Sequence, residues 1–244
     1  MNGMIFAAGL GTRLAPLTDN RPKALVEVGG RPLLAHAIEH FRQAEIRRIV
    51  INVHHFAQQI KDYISANASH WPDTELIISD ESDQLLDTGG GLAKALPLFN
   101  SDAVVVGNAD VLCDVPLQWL IVQHKASGRE ATLLTKQRPS TRQLLFDADG
   151  RLSGWTNKTS GEVKMPRPAD NLHESAFCGF HVIETELLKT MLPVSKFPII
   201  DAYLQRAAEH NIGETTIPDE CYWFDVGTVE KLRTAEDFLK NRQQ

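Results

Sequence analysis

The chain has 244 residues, 43% of them hydrophobic and 23% charged, which is enough apolar material for one large core or at most two small ones. Its 25 basic and 31 acidic residues leave a net charge of −6, which argues against a partner as extended and anionic as a nucleic acid while allowing a local basic pocket. No apolar run approaches the roughly 18 residues that a bilayer span needs, and the first nine residues have no basic leader, so no signal peptide, no membrane partner and a cytoplasmic location are expected.

In chain order, residues 3–8 read as a buried strand. Pro32 opens a helix whose apolar face, Leu33, Leu34, Ala37, Ile38 and Phe41, has a period near 3.6. A second strand is expected over 48–53, a helix over 57–66, a third strand over 75–79, a helix over 91–98 and a fourth strand over 103–107. This alternation argues for a mainly parallel sheet covered by helices on both faces. After Leu117 the rhythm changes to short β runs at 132–136, 144–147 and 152–155, with the hairpin dipeptide Asp149-Gly150 between the last two. A strand over 176–183, a helix over 199–209 and an amphipathic helix over 229–240 follow, and 159–173 reads as a mobile loop. Cys113, Cys178 and Cys221 are odd in number and far apart, which fits free thiols rather than a disulfide framework or a zinc knuckle.

The first strand runs into Gly9-Leu10-Gly11-Thr12-Arg13-Leu14-Ala15-Pro16-Leu17-Thr18, followed by Pro22-Lys23. Two glycines after a strand let consecutive N–H groups turn toward an anion. Arg13 adds a fork of donors suited to phosphate oxygens, and Lys23 a mobile point charge. The third glycine of a dinucleotide-binding loop is missing, and so is the Gly-Lys-Ser/Thr of a Walker loop. A purely structural turn explains the glycines, but it does not require Arg13, Pro16, Thr18, Pro22 and Lys23 at these offsets. Two carboxylates end apolar segments elsewhere: Asp110 after Val104-Val105-Val106-Gly107-Asn108-Ala109, and Asp225 within Trp223-Phe224-Asp225-Val226-Gly227-Thr228. Asp110, at the C-terminal edge of a strand, suits Mg²⁺, a hard cation that takes one or two carboxylates plus phosphate oxygens and water. Each carboxylate is also readable as an ordinary turn residue, with Thr228 as the N-cap of the last helix.

The pattern Gly-x-Gly-x-Arg-x-x-Pro-x-Thr with a following Pro-Lys resembles the signature of the sugar-1-phosphate nucleotidylyltransferases. The resemblance implies a Rossmann-like nucleotide-diphospho-sugar transferase fold with an inserted substrate-side β subregion. It implies one domain over 1–244, with 1–115 as the nucleotide-binding half and 116–244 as the sugar-binding half. In that family the glycine loop and arginine hold the triphosphate and the lysine contacts the phosphate being substituted. Nucleotide contacts are thereby implied at Ala7, Ala8, Gly9, Gly11, Thr12, Arg13 and Lys23, with Arg13 and Lys23 as the catalytic groups. Asp110 and Asp225 match the family's metal-binding aspartates, and Mg²⁺ is the implied cofactor.

Asp87, Thr88 and Gly89 resemble the segment around the nucleobase and sugar, although Asp87 stands where relatives more usually have Gly or Glu. Sugar contacts are implied at Asn157, Lys158 and Gly179, with Asn157 in place of the acid of a Glu-Lys pair. The implied partners are an NTP and a sugar 1-phosphate. The compact length, the Thr88–Gly91 glycines and the Phe224–Thr228 ending are most similar to the branch using UTP and N-acetylmuramate 1-phosphate, for whose carboxylate Lys158 and Arg142 are the candidate donors. Mannose- or heptose-1-phosphate guanylyltransferases and phosphocholine cytidylyltransferases are the rival branches. A catalytically silent nucleotide-sugar sensor is the rival from another class, against which the intact set of Arg13, Lys23, Asp110 and Asp225 argues.

Overall fold

Short unbroken apolar runs bounded by turn residues become the buried strands of the sheet. In the computed structural model, which describes residues 1–242, β1 (Asn2–Phe6) is the first of them. A two-residue hairpin, β2 (Glu27–Val28) and β3 (Arg31–Pro32), precedes α1 (Leu33–Gln43) and β4 (Arg48–Val53). Next come α2 (Ala57–Asn67), β5 (Glu75–Asp80), α3 (Asp87–Ala95) and β6 (Ala103–Asn108). The second half holds β7 (Val111–Cys113), α4 (Leu117–Ser127), β8 (Ala131–Lys136), β9 (Arg142–Phe146), β10 (Leu152–Asn157) and β11 (Val163–Lys164). It closes with β12 (His173–Glu184), α5 (Thr185–Lys189), α6 (Ile199–Arg206), β13 (Ile212–Thr216), β14 (Trp223–Asp225) and α7 (Val229–Arg242).

The strands β5, β4, β1 and β6 lie side by side and parallel. β12 pairs antiparallel with both β6 and β8, so β8, and β13 parallel to it, run in the direction of the first four. The central sheet is therefore mostly parallel, with β12 as its reversed strand. The ribbon β9–β10–β11 is antiparallel and joins through the first residues of β12.

Period-two alternation sends successive strand residues to opposite helix layers. Ile5, Ile49, Ile51 and Val105 pack with α1, α2 and α4, whereas Met4, Val50, Val104 and Val106 pack with α3, α5 and α6. Burial of each such side chain contributes roughly 1.5–3 kcal/mol, so both faces need a helix layer. A third cluster, Leu14, Val26, Val28, Leu33, Leu112, Val226, Leu232 and Ala235, clamps α7 onto the loop after β1 and onto the β7–β14 pair. This cluster joins the two ends of the chain at one place.

Two sequence expectations change, and two elements appear that the sequence did not announce. The helix expected at 91–98 begins at Asp87, because Gly89 and Gly90 are inside it, where their lack of a side chain admits the 195–197 backbone. That close contact overrides the roughly 1 kcal/mol per residue by which glycine disfavours a helix. The expected mobile loop 159–173 contains β11, which pairs Trp155 with Lys164, and its last residue starts β12. The helix α4 and strand β13 had no distinct periodic signal; α4 ends on Gly128 in the left-handed region (φ 59°), a stop that glycine accepts without strain. Among the described residues no helix is long and apolar enough to cross a membrane.

Candidate active site

The C-terminal ends of β1 and β6, adjacent parallel strands, open onto a cleft of about 460 Å³. Ligands collect at this edge of parallel sheets because the loops that leave it expose backbone donors. Ala7, Ala8, Gly9, Gly11, Thr12, Arg13 and Lys23 line the cleft from one side. Gly11 has φ 68°, and a Cβ there would come within 3.0 Å of both Lys23 and Thr18, so the turn admits glycine for two reasons. Thr18 donates its hydroxyl to the Gly11 carbonyl at 2.9 Å, and Leu14 donates its N–H to the same oxygen at 2.8 Å. Thr18, buried, thus shapes the loop rather than facing the cleft.

Asp110 follows β6 directly and forms an ion pair with Lys23 across the cleft floor. Asp225 arrives from the other end of the chain: β14 pairs with β7, Asp225 opposite Val111, and Val226 donates its N–H to the Asp110 carbonyl at 2.8 Å. Its carboxylate accepts from Lys231 at 2.6 Å. Thr228 caps α7, accepting the Lys231 N–H at 3.3 Å. Gly227 lines the cleft beside these groups; a Cβ on it would lie 2.8 Å from the Asp225 carboxylate and 3.1 Å from the Arg13 guanidinium. Gly227 therefore lies between Arg13 and the Asp225 carboxylate, bringing together two residues more than 200 positions apart in the chain, while Asp225 itself stands just off the cleft lining.

The donor set fits Mg²⁺: two carboxylates from adjoining strand ends, each now balanced by an ammonium, beside a loop suited to phosphates. Among the described residues no third His, Cys, Asp or Glu joins them, so remaining ligands would be phosphate oxygens and water, as this cation prefers.

Two residues that sequence reading missed hold the loop in place. Asn52, at the end of β4, accepts the Ala7 N–H at 2.8 Å and donates to Glu81 at 2.8 Å. Glu81, with 0% exposure, also accepts the Leu86 N–H at 3.1 Å. Burial pushes the Glu81 carboxyl above its ordinary value, against the lowering effect of the bonds from Asn52 and Leu86. A polar residue at the end of an apolar strand, Asn52 in Ile49-Val50-Ile51-Asn52-Val53, was the available signal.

The α3 wall carries Leu85, Asp87 and Thr88 into the cleft. Asp87 sits at φ 61° and its carboxylate accepts the Thr88 N–H at 2.7 Å. Gly89 does not line the cleft: its N–H donates to the Phe197 carbonyl at 2.9 Å, and a Cβ on it would lie 2.3 Å from the Phe197 ring.

The sugar-side residues also stand off the cleft lining. Asn157 uses its side-chain oxygen to accept the Thr159 N–H at 2.9 Å and so closes the turn after β10. Lys158 pairs with Glu174 on β12, a carboxylate that the sequence placed 16 residues away. Arg142 is exposed at the start of β9. Gly179, at φ 81° in the bulge of β12, is buried, and a Cβ there would meet Val111 at 2.9 Å and Asn108 at 3.0 Å. Its absence of a side chain lets β12 approach the strand end that carries Asp110. Cys113 and Cys178 are buried free thiols, with Cys113 pushed up to about 12 by burial, and Cys221 is a half-buried one.

Comparison with known proteins places these features in context. The family described as nucleotidyl transferase matches residues 2–146. The chain is 44% identical over 237 residues to N-acetylmuramate alpha-1-phosphate uridylyltransferase of Caulobacter vibrioides, covering 96% of this chain and 94% of that protein. It is 33% identical over 242 residues to the mannose-1-phosphate guanylyltransferase catalytic subunit beta of Drosophila pseudoobscura pseudoobscura, covering 95% of this chain but 60% of that longer protein. Among solved structures, an apo UDP-glucose pyrophosphorylase superposes with a TM-score of 0.80 at 16% identity over all of both chains. The UDP-glucose pyrophosphorylase of Acinetobacter baumanii gives 0.77 at 18% identity, over 96% of this chain and 91% of that one. At such identities the likeness is one of fold.

Proposed function

The chain belongs to the nucleotidyl transferase family, and from that premise we propose that it transfers the uridylyl group of UTP to N-acetylmuramate 1-phosphate, releasing pyrophosphate. The broader activity is that of a sugar-1-phosphate nucleotidyltransferase, and the chain is an enzyme of that class. The single observation that carries the narrower reading is 44% identity along almost the full length of both proteins.

In this reading residues 1–115 hold the nucleotide and 116–244 the sugar. The backbone N–H groups of 8–12 and the Arg13 guanidinium bind the triphosphate, giving donors fixed in place before charge develops. A phosphate oxygen of the acceptor attacks the α-phosphorus in line, forming one P–O bond as the bond to the β-phosphate bridge breaks and pyrophosphate leaves. The acceptor is already ionised, so no protein nucleophile or general base is needed, and catalysis is positioning plus electrostatics. Lys23 places its ammonium where negative charge builds. Asp110 and Asp225 would hold the Mg²⁺ that neutralises phosphate charge when bound.

Identity of 33% to a mannose-1-phosphate guanylyltransferase over 95% of the chain supports GTP with mannose 1-phosphate as the second reading. Pyrophosphate release measured across the four common NTPs, each with N-acetylmuramate, mannose, heptose and glucose 1-phosphates, decides between them. UTP with N-acetylmuramate 1-phosphate is expected to have the highest kcat/KM by at least about tenfold. A win for GTP with mannose or heptose 1-phosphate removes the narrower reading and leaves nucleotidyl transfer standing. Binding of a nucleotide sugar with no turnover of any pair would make the protein a sensor.

A further inference from the structure

An N-acetylmuramate acceptor brings a lactyl carboxylate in addition to its phosphate, and a carboxylate drawn into an acidic protein needs a cation at its resting place. Three cationic side chains line the cleft: Arg13, Lys23 and Lys196. Arg13 lies against Gly227 at the phosphate loop, and Lys23 is paired with Asp110. Lys196 lies elsewhere, on the segment that packs against the start of α3, next to the wall that carries Asp87 and Thr88. Among the described residues its ammonium has no hydrogen-bond or ion-pair partner, and Asp87, the acid on the same wall, is beyond ion-pair distance.

The base of this side chain is fixed. The Phe197 carbonyl accepts the N–H groups of Gly89 at 2.9 Å and Gly90 at 3.2 Å. The Phe197 N–H donates to the Leu86 carbonyl at 3.2 Å, and the Ile199 N–H to the Thr88 hydroxyl at 2.9 Å. A Cβ on Gly90 would sit 1.9 Å from the Ser195 carbonyl oxygen, so the glycines of α3 exist to let the segment seat this closely. Gly89 and Gly90 thereby let an anchored backbone present one exposed lysine to the cleft. Lys158 and Lys164, the lysines of the β10–β11 ribbon, are paired with Glu174 and Asp201 and do not line the cleft.

We infer that Lys196 sets acceptor specificity by ion-pairing a carboxylate borne by the sugar, and the inference rests on the N-acetylmuramate reading above. A free, anchored cation on the cleft wall that also carries Asp87 and Thr88 favours an acceptor with a second anionic group over its neutral counterpart. N-acetylglucosamine 1-phosphate is that counterpart, the same sugar without the lactyl ether. Loss of one charge-assisted contact shifts the preference between the two by about tenfold to a hundredfold.

The experiment measures kcat and KM with UTP for both acceptors in wild type, Lys196→Met and Lys196→Arg, with circular dichroism to verify folding. Wild type is expected to prefer the carboxylate-bearing acceptor. In Lys196→Met that preference falls by at least tenfold, through KM for the acceptor rather than kcat, and Lys196→Arg recovers most of it. If wild type prefers the acid-bearing sugar and Lys196→Met keeps the same ratio, or loses both acceptors equally, Lys196 does not read the carboxylate and the inference alone falls. If wild type prefers the neutral sugar, the N-acetylmuramate reading and the inference fall together.

Discussion

Asn52 donates to Glu81 at 2.8 Å in the interior while the oxygen of the same amide accepts the Ala7 N–H at 2.8 Å. One side chain thus ties the end of β1, where the phosphate loop begins, to the loop after β5 and, through Glu81 and the Leu86 N–H, to the start of α3. Asn52→Ala leaves a buried N–H and one carboxylate oxygen unpartnered. A loss of about 1–3 kcal/mol in urea unfolding is expected, together with weaker NTP binding by calorimetry. A variant as stable as wild type with unchanged NTP affinity would show that the loop holds its shape without this bond.

The same carboxylate makes stability depend on pH. Burial raises the Glu81 pKa above its ordinary 4.5 in the folded protein. The folded state then holds the proton more tightly than the unfolded chain, so the group's contribution is full below 4.5 and is lost as pH rises through the raised value. The stability of wild type relative to Glu81→Gln should therefore be greatest at low pH and shrink as pH climbs above 4.5. Urea midpoints of both proteins across a pH series test this; a difference that stays flat, or that grows with pH, contradicts it.

Asp110→Asn and Asp225→Asn are each expected to lower turnover at least about a hundredfold, a few kcal/mol of lost transition-state stabilisation. Folding should be nearly unchanged, because each carboxylate's lysine partner lies in a partly exposed pair of small energetic weight. Activity is followed by pyrophosphate release over a Mg²⁺ titration. A variant within a few-fold of wild type at saturating Mg²⁺ would not carry a metal ligand at that position.

Lys23→Ala should lower kcat more than it raises KM for the NTP. An ammonium close to the reacting phosphate does most where charge develops, and in the resting protein it is already satisfied by Asp110. Steady-state kinetics separate the two effects. A change confined to KM would make Lys23 a ground-state binder only.

Gly90→Ala tests the seating of the lysine segment. The added methyl would lie 1.9 Å from the Ser195 carbonyl oxygen, a backbone atom that cannot swing aside. Destabilisation of about 1–3 kcal/mol is expected despite alanine's better helix propensity, read as a lower thermal midpoint. A rise in the midpoint would mean that helix propensity outweighs the contact.

The layered sheet and the phosphate loop are legible in the chain alone, since unbroken apolar runs such as Val104-Val105-Val106 are stable only between two helix layers and the residues of the loop are contiguous. Local chemistry sufficed there: glycine at Gly11 answers a backbone angle, Thr228 a helix end, and Gly150 a hairpin turn, and each acts within a few residues of itself. Which residues meet across the chain depends instead on long-range packing. Asn52 and Glu81 are unremarkable in sequence and become a buried pair when β4 and β5 pair in register, and Gly89 turned from an expected base contact into the seat of Phe197. Lys158 found its carboxylate on another strand, and Lys196, an exposed lysine between a turn and a helix, was placed beside the cleft by contacts that its own neighbours do not make. Spacing along a chain reports local geometry, whereas charge balance and close packing are settled by whichever distant strands the core brings together.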